Sequence, residues 1–352
     1  MAMKILLTGA DGYIGAVAGP HLMAAGHEVT GLDCGLYRSG WLYEPGTPRP
    51  ATLTMDIRDV TPAYLAGFDA VVHMAELSND PVAALSPDLT RAINHGGTMH
   101  LARAARAAGV RRFVYMSSCS VYGRGDGDTA MTEDSPTNPQ TVYAACKLRC
   151  EEDLAAMAGP DFTPVFLRNA TVFGPSPRQR FDIVLNDLCG RAWTEGHITL
   201  LSDGTPWRPL VHIDDVCAAV RAVVEAPAAD VTCLALNVGS DDQNHRVIDI
   251  ARIVAEAFPG CWIETGSPSG DTRSYRVDFA RIGRVLPGFR CRWTAAAGAR
   301  QMRDLLAAIA LAPADFAAPP WTRLRMISSL ADRGLLDPSL RWTTPTRKAS
   351  AA

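Results

Sequence analysis

The sequence lacks the features that mark several large classes of protein. It contains no C-x-x-C pair, and its nine cysteines are an odd number. Neither a zinc site nor a disulfide framework is therefore expected, and the thiols are predicted to be reduced and mostly buried. No apolar run reaches the roughly 18 residues that a membrane span needs, and the run up to Leu7 is too short for the apolar part of a secretory signal. These absences predict a cytoplasmic protein without a bound metal.

An excess of charge of either sign is also missing. The 34 basic and 37 acidic residues give a net charge of −3, which calls for neither nucleic acid nor an anionic membrane as a partner. The 352 residues, 47% hydrophobic and 20% charged, are enough for about two globular domains. Disorder, collagen and coiled coil are excluded as the main architecture.

Strand and helix patterns alternate along the first half of the chain. Strands are predicted at residues 3–8, 27–32, 69–74, 111–116 and 164–168, and helices at 14–25, 90–108 and 142–158. Such alternation is typical of a doubly wound parallel α/β sheet of the Rossmann type, with helices on both faces. This domain is expected to span residues 1–175.

A second, smaller α/β domain is expected over residues 176–342, because a Gly and Pro cluster at 174–177 breaks the pattern. Its predicted elements are helices at 181–193, 214–226 and 245–258 and strands at 198–201 and 231–238. Some of this chain is expected to cross back to the first domain. Residues 296–342 predict one or two helices that only pack against the second domain, and residues 343–352 predict a disordered tail.

The turn after the first predicted strand carries glycines at positions 9, 12 and 15. Gly9 permits a sharp turn, Gly12 lets a pyrophosphate approach the backbone, and Gly15 lets the following helix pack closely. Asp33 ends the next predicted strand, where a carboxylate accepts hydrogen bonds from a ribose 2′-hydroxyl and repels a 2′-phosphate. This context predicts a dinucleotide site that prefers NAD to NADP.

A second motif combines Ser118, Tyr143 and Lys147. Tyr143 and Lys147 are four residues apart on a predicted helix and therefore share one face. The Lys147 ammonium group favours the phenolate and so lowers the pKa of Tyr143. Tyr143 could then act as a general base at a substrate hydroxyl near neutral pH, and the Ser118 hydroxyl could share or relay the proton.

A series of ordered motifs carries a family resemblance. They are T-G-x-x-G-x-x-G at 8–15, Asp56-Ile57, Val72-His-Met-Ala75, Asn94-x-x-Gly97, S-S-x-x-V-Y-G at 117–123, Y-x-x-x-K at 143–147, Gly174-Pro175 and Arg208-Pro-Leu-Val-His-Ile-Asp-Asp215. With them the sequence resembles the extended short-chain dehydrogenase/reductase family, and within it the nucleotide-sugar epimerases and dehydratases.

The resemblance implies roles for individual residues. NAD would be held by Gly9, Gly12, Tyr13, Ile14, Gly15, Asp33, Asp56, Ile57, Ala75, Asn94 and Lys147, with Asp56 and Ile57 beside the adenine and Asn94 towards the nicotinamide. The nucleotide sugar would be bound by Ser118, Ser120, Asn169, Thr171, Asn186, Arg208 and Arg273. Ser118 and Tyr143 would contact the sugar hydroxyl that is oxidised, and Asn186 and Arg208 the diphosphate. A homodimer through the Ala-rich helices 90–108 and 142–158 is also implied.

Several positions depart from the family pattern. Dehydratases of the family carry Asp-Glu where this chain has Cys119 and Ser120, so no acid stands there to expel water from C6. Glu76 replaces a small residue; a solvated carboxylate is expected, with an added acid/base role as the alternative.

Two substrate positions stay open. The family asparagine before Gly174 is replaced by Thr171, so either Thr171 or Asn169 contacts the substrate. No arginine precedes Gly270-Asp271, and Arg273 or Arg276 would substitute for it.

These motifs predict an NAD-dependent nucleotide-sugar epimerase that inverts C4 through a transient 4-keto intermediate, with Tyr143 as acid and base. The alternatives are a nucleotide-sugar 4-ketoreductase, an atypical dehydratase that uses Glu76 or Cys119, and a non-catalytic NAD-binding protein.

Overall fold

The computed structural model describes residues 2–78, 80–125, 129–267 and 273–343. The Gly270-Asp271 pair and residues 344–352 of the predicted tail lie outside these ranges. None of the described helices is both long and apolar enough to cross a bilayer. All nine cysteines fall within the described ranges, and none of them is in a disulfide.

The elements follow in chain order. The strands are β1 (Lys4–Thr8), β2 (Glu28–Asp33), β3 (Ala51–Thr54), β4 (Ala70–His73), β5 (Arg112–Ser118), β6 (Ala130–Met131), β7 (Thr163–Asn169), β8 (Thr171–Phe173), β9 (His197–Leu200), β10 (Trp207–His212), β11 (Ala235–Val238), β12 (Asn244–Arg246), β13 (Trp262–Thr265) and β14 (Arg276–Val277). The α-helices are α1 (Gly15–Ala24), α2 (Pro62–Leu65), α3 (Asp80–Leu85), α4 (Pro87–Thr90), α5 (Thr98–Ala107), α6 (Val142–Ala156), α7 (Val184–Thr194), α8 (Ile213–Glu225), α9 (Ala228–Val231), α10 (Val247–Ala257), α11 (Ala280–Val285), α12 (Ala295–Ala308), α13 (Pro313–Phe316) and α14 (Arg323–Asp332). A π-helical turn at Arg91–Gly97 runs into α5.

The large sheet has seven strands in the order β11-β7-β5-β4-β1-β2-β3, and all its neighbouring strands pair in parallel. The predicted doubly wound parallel sheet is confirmed. The strand order reverses between β1 and β4, so the loops that follow these two strands leave a crevice at their carboxyl ends. In sheets of this kind ligands bind in that crevice.

Helices cover both faces of the sheet. Helices α1 and α8 pack on one face and α5 and α6 on the other. Helix α8 and strand β11 lie in sequence between α7 and α10, two helices of the smaller module, so the chain crosses back to the large sheet over residues 213–238. The predicted strand 231–238 is wrong in its first half. The segment begins at the end of α9, and Cys233, with φ 57°, turns the chain before β11 starts at Ala235.

The smaller module is built from α7, α10 and α12, which pack on each other. Its core includes Leu185, Ile250 and Met302. Two small sheets, β12-β10-β8 and β13-β9, complete it. This module lies across the carboxyl edge of the large sheet, because β8 directly continues the chain from β7 of that sheet.

The C-terminal part of the chain contradicts its expected role. Helix α12 packs in the smaller module as predicted, but α14 does not. Met326 and Leu330 of α14 pack with Leu36, just after β2 of the large sheet, and the Trp342 indole donates a hydrogen bond to the Cys34 carbonyl at 2.7 Å. The segment 323–342 therefore folds back over the first domain beside the crevice.

Candidate active site

A cavity opens at the crevice between β1 and β4. It is lined by Gly9, Gly12, Tyr13, Ile14, Gly15, Asp33, Cys34, Leu36, Tyr37, Met55, Asp56, Ile57, Arg58, Met74, Ala75, Glu76, Leu77, Ser78, Ile93, Arg180, Arg323 and Leu340. Nine of the residues expected to hold the cofactor, all except Asn94 and Lys147, are in this lining. These nine residues lie at the carboxyl ends of β1, β2, β3 and β4 or directly after them, and the fold brings them together around one cavity.

The glycine turn has the geometry that a pyrophosphate requires. Gly9 adopts a φ of +73°, which favours glycine. A Cβ on Gly15 would lie 2.1 Å from the Gly9 carbonyl oxygen, and one on Gly12 would lie 3.0 Å from it. Larger residues would therefore distort the turn that presents the first backbone amides of α1 to the cavity, where they favour an anion. These residues fit a dinucleotide.

Asp33 lies at the end of β2 on the cavity wall. Its carboxylate accepts hydrogen bonds from the Gly35 amide at 2.7 Å and the Asp11 amide at 3.1 Å. Burial is the largest cause that raises the pKa of Asp33 to about 6. The group is therefore ionised at neutral pH and can still accept hydrogen bonds from ribose hydroxyls. The neighbouring Asp56 carboxylate is instead paired with Arg58 at 2.6 Å.

Two side-chain amides that are predicted to bind ligands make hydrogen bonds within the protein. Asn94, in the π-helical turn, donates to the Leu77 carbonyl at 3.0 Å and accepts from the Leu77 amide at 2.9 Å, so it holds the loop after β4. Asn186 donates its amide hydrogens to the Tyr13 hydroxyl and the Arg180 carbonyl. Both amide hydrogens of Asn186 are thus engaged within the protein, and its buried side chain ties α7 to the glycine turn.

Ser118, Tyr143 and Lys147 lie on packed elements. Ser118 ends β5, where its hydroxyl accepts from the Ser120 amide at 3.1 Å. Tyr143 and Lys147 are on α6, whose first turn is capped by Thr141, and α6 packs on β5. The Lys147 ammonium lies 5.6 Å from the centre of the Tyr143 ring and donates to the Met116 carbonyl.

Glu76 departs from its expected solvated position. Its side chain is 2% exposed, and its carboxylate lies 2.7 Å from the Lys147 ammonium. Burial raises the pKa of Tyr143, Lys147 lowers it, and Glu76 raises it again, so the net direction is upward. Lys147 thus lowers the pKa of Tyr143, as predicted, but the groups that raise this pKa have the larger effect.

Two unsatisfied polar atoms lie near Ser118. The Ser120 hydroxyl and the Asn169 side-chain oxygen are both buried without a hydrogen-bond partner among the described residues. Asn169 ends β7 directly beside Ser118. Since buried polar groups are nearly always paired in proteins, these two atoms favour a polar ligand at this point. Thr171 begins β8, farther along the same edge.

Arg208 and Arg273 come together in the smaller module. The Arg208 guanidinium donates to the carbonyls of Trp207 and Arg273. The Arg273 guanidinium pairs with Asp80 of α3, which also accepts from the Thr141 hydroxyl at 2.6 Å. This contact joins the smaller module to the start of the helix that carries Tyr143.

Sequence reasoning missed two arginines in the cavity wall. Arg180 pairs with Asp182 at 2.7 Å, and the Arg323 guanidinium stacks 4.0 Å from the Tyr37 ring. Burial and, after it, the charge of Arg180 lower the pKa of Arg323 to about 10. The arginines after Gly174-Pro175 could have suggested Arg180, whereas nothing in the local sequence singles out Arg323.

Comparison with known proteins agrees with this geometry. The model of the NAD dependent epimerase/dehydratase family matches residues 5–239. The chain is 33% identical over 298 residues to a UDP-glucose 4-epimerase of Mycolicibacterium smegmatis, a match covering 81% of the chain and 92% of the relative. It is 30% identical over 305 residues to a dTDP-glucose 4,6-dehydratase of Streptomyces griseus, covering 81% and 89%. A 35% match to a UDP-glucose 4-epimerase of Streptomyces lividans spans only 165 residues, 45% of the chain and 48% of that relative.

A solved structure shows the same likeness. MoeE5 in complex with UDP-glucuronic acid and NAD superimposes with a TM-score of 0.75 at 29% identity, covering 87% of this chain and 99% of that one. The family model covers most of the chain, and the matches to the Mycolicibacterium smegmatis and Streptomyces griseus relatives and to this structure are longer still. The chain belongs to the NAD-dependent epimerase/dehydratase family, within the extended short-chain dehydrogenases/reductases, and its cofactor is NAD.

Proposed function

We propose that the protein is a nucleotide-sugar epimerase that inverts C4 through a transient 4-keto sugar. The observation that carries the proposal is the Ser118, Tyr143 and Lys147 set on β5 and α6. Lys147 joins this set to the cavity through its contact with Glu76 of the cavity wall. The UDP-glucose 4-epimerases among the relatives support the proposal.

The side chains divide the work. Tyr143 takes the proton from the C4 hydroxyl and later returns it, while the Ser118 hydroxyl orients the sugar oxygen. Lys147 supplies positive charge that favours the phenolate of Tyr143. The guanidinium groups of Arg180 and Arg323 suit a diphosphate in the cavity. Bound NAD supplies the hydride acceptor for the first step and the hydride donor for the return step.

The two acids considered for an atypical dehydratase are both engaged in the protein. Cys119 is buried, donates its thiol to the Arg168 carbonyl at 3.1 Å, and has a pKa raised chiefly by burial. The Glu76 carboxylate lies 2.7 Å from Lys147 and accepts from the Tyr115 hydroxyl at 2.7 Å. Neither group is placed as a free acid for expelling water, which favours epimerisation.

Product analysis tests the proposal. The protein loaded with NAD is incubated with UDP-glucose, UDP-glucuronic acid or dTDP-glucose, and the sugar is followed by NMR and the cofactor by NADH absorbance. A C4 epimer with no net change in NADH is the expected result. A 4-keto-6-deoxy sugar would show a dehydratase, and stoichiometric loss of NADH with a keto sugar would show a ketoreductase. Tight NAD binding without turnover of any sugar would favour the non-catalytic alternative.

Asp33 gives a prediction on cofactor choice and pH. We expect NAD⁺ affinity to fall as the pH drops through about 6, because the Asp33 carboxylate, whose pKa burial raises to about 6, becomes protonated and loses its charge. Asp33→Asn should weaken NAD⁺ binding about tenfold and make NAD⁺ affinity less dependent on pH. It should also reduce the ratio of NAD⁺ affinity to NADP⁺ affinity. Calorimetric titrations at several pH values measure all three effects. If the variant kept the wild-type affinity and pH dependence, the assignment of Asp33 to the cofactor site would be wrong. Asp88→Asn, at an exposed position, serves as the control.

The homodimer and the cytoplasmic location stay predictions. Helices α5 and α6 lie together on one face of the sheet, so the paired-helix interface expected from the resemblance is geometrically available.

A further inference from the structure

Glu76 is a buried carboxylate in an unusual place. Its side chain is 2% exposed, and that of Lys147 is 6% exposed. One carboxylate oxygen lies 2.7 Å from the Lys147 ammonium, and the other accepts from the Tyr115 hydroxyl at 2.7 Å. The Thr98 hydroxyl stands 3.5 Å away. A buried carboxylate held this closely is fixed in position, since burying it unpaired would cost far more than leaving it in water.

The same carboxylate belongs to the wall of the cofactor cavity. Glu76 lies on the loop after β4, between Ala75 and Leu77, and all three residues line the cavity. Asn94 holds this loop through both backbone groups of Leu77. Glu76 therefore contacts the catalytic lysine on one side and the cofactor space on the other.

The chemistry of hydride transfer indicates that the nicotinamide end of the cofactor would lie near Glu76. In the proposed reaction the hydride would leave the carbon whose hydroxyl Tyr143 deprotonates, so the acceptor ring would lie beside Tyr143 and Lys147. The nicotinamide ring is positively charged when oxidised and neutral when reduced. Lys147 and Glu76 cancel each other's charge, whereas Lys147 alone would repel the oxidised ring.

We propose that Glu76 is a positioning residue that holds Lys147 and acts as its counter-ion, so that the lysine charge does not disfavour oxidised relative to reduced nicotinamide. The inference rests on the proposed catalytic role of Tyr143 and Lys147. Its consequence is a stronger drive to return hydride to the sugar than Lys147 without its counter-ion would allow. An enzyme that must end each cycle with oxidised cofactor gains from this, because a 4-keto intermediate that is quickly reduced has little time to escape.

Cofactor binding without any sugar tests the proposal. The dissociation constants of NAD⁺ and NADH are measured by calorimetry for the wild type and for Glu76→Gln. This substitution keeps the size of the side chain and one acceptor oxygen, for the Tyr115 hydroxyl, but removes the charge. We expect the ratio of Kd for NAD⁺ to Kd for NADH to rise on the order of tenfold, as an unscreened charge near the ring predicts. An unchanged ratio overturns the proposal, even if the variant is less stable, because a purely structural role would weaken binding of both forms alike.

Two further variants guard against misfolding and nonspecific effects. Lys147→Met removes the opposite charge and should lower the same ratio, so the proposal stays testable if Glu76→Gln does not fold. A ratio that rises or stays constant in Lys147→Met would count against it. Glu152→Gln, an exposed carboxylate on α6 that pairs with Arg149, should leave the ratio as in the wild type. Since no sugar is present, these results do not depend on whether the protein is an epimerase.

Discussion

Replacing Tyr143 by phenylalanine is expected to lower turnover about 10³-fold, the range typical for loss of a general acid and base. The ring is half-buried on α6, and phenylalanine fills the same space, so the fold and the cofactor cavity should persist. The measurement is the rate of C4 inversion under saturating nucleotide sugar, followed by NMR.

The control separates loss of chemistry from loss of structure. NAD⁺ affinity should stay close to that of the wild type in Tyr143→Phe, because the phenol is expected to act on the sugar. Tyr64→Phe, at an exposed position on α2, should turn over normally. Activity of Tyr143→Phe within about tenfold of the wild type would assign the proton transfer to another group.

Glu151→Ala is expected to cost about 3–5 kcal/mol of stability, the cost of stranding one member of a buried ion pair. Glu151 on α6 accepts from Arg168 on β7 at 2.6 Å, and both side chains are less than a tenth exposed. The Ser117 hydroxyl donates to the same carboxylate. Arg168 also donates to the Tyr122 hydroxyl and the Glu133 carbonyl, which hold its guanidinium group inside the protein. Loss of Glu151 would therefore leave the Arg168 charge buried without a counter-ion.

The adjacent residue provides a matched control. Glu152 is on the same helix, but its pair with Arg149 is 3.6 Å long and more than half exposed. Glu152→Ala should change stability by less than about 1 kcal/mol, as exposed pairs do. Denaturant unfolding monitored by circular dichroism compares the two variants. Equal midpoints would mean that the buried pair contributes no more than a surface pair.

Local patterns predicted the elements whose signal lies within a few residues. The turn at Gly9–Gly15 and the helix carrying Tyr143 are examples, since the geometry of a turn or a helix depends on neighbours in sequence. The strand prediction for residues 231–238 was wrong in its first half, because burial alone does not distinguish a helix end from a strand. Val231 is fully buried, but it lies at the end of α9.

Side-chain partners were harder to predict than elements. Asn186 appeared to be a ligand-binding amide, yet both its amide hydrogens are used to join α7 to Tyr13 and the Arg180 carbonyl. Glu76 appeared to be a solvated residue, yet the packing of α6 places Lys147 against it. A pattern reveals which groups a residue carries but not which distant group is brought beside it.

The sequence by itself determined the parallel sheet, the dinucleotide turn, the position of Asp33 at the end of a strand, and the family. Each of these can be recognised from the spacing of residues close together in the chain. Only the tertiary structure decided that Glu76 pairs with Lys147, that Arg323 reaches the cavity, and that the segment 323–342 folds over the first domain. These contacts join parts of the chain far apart in sequence. They depend on the order of the strands and on the path of the chain back across the sheet, which no local pattern specifies.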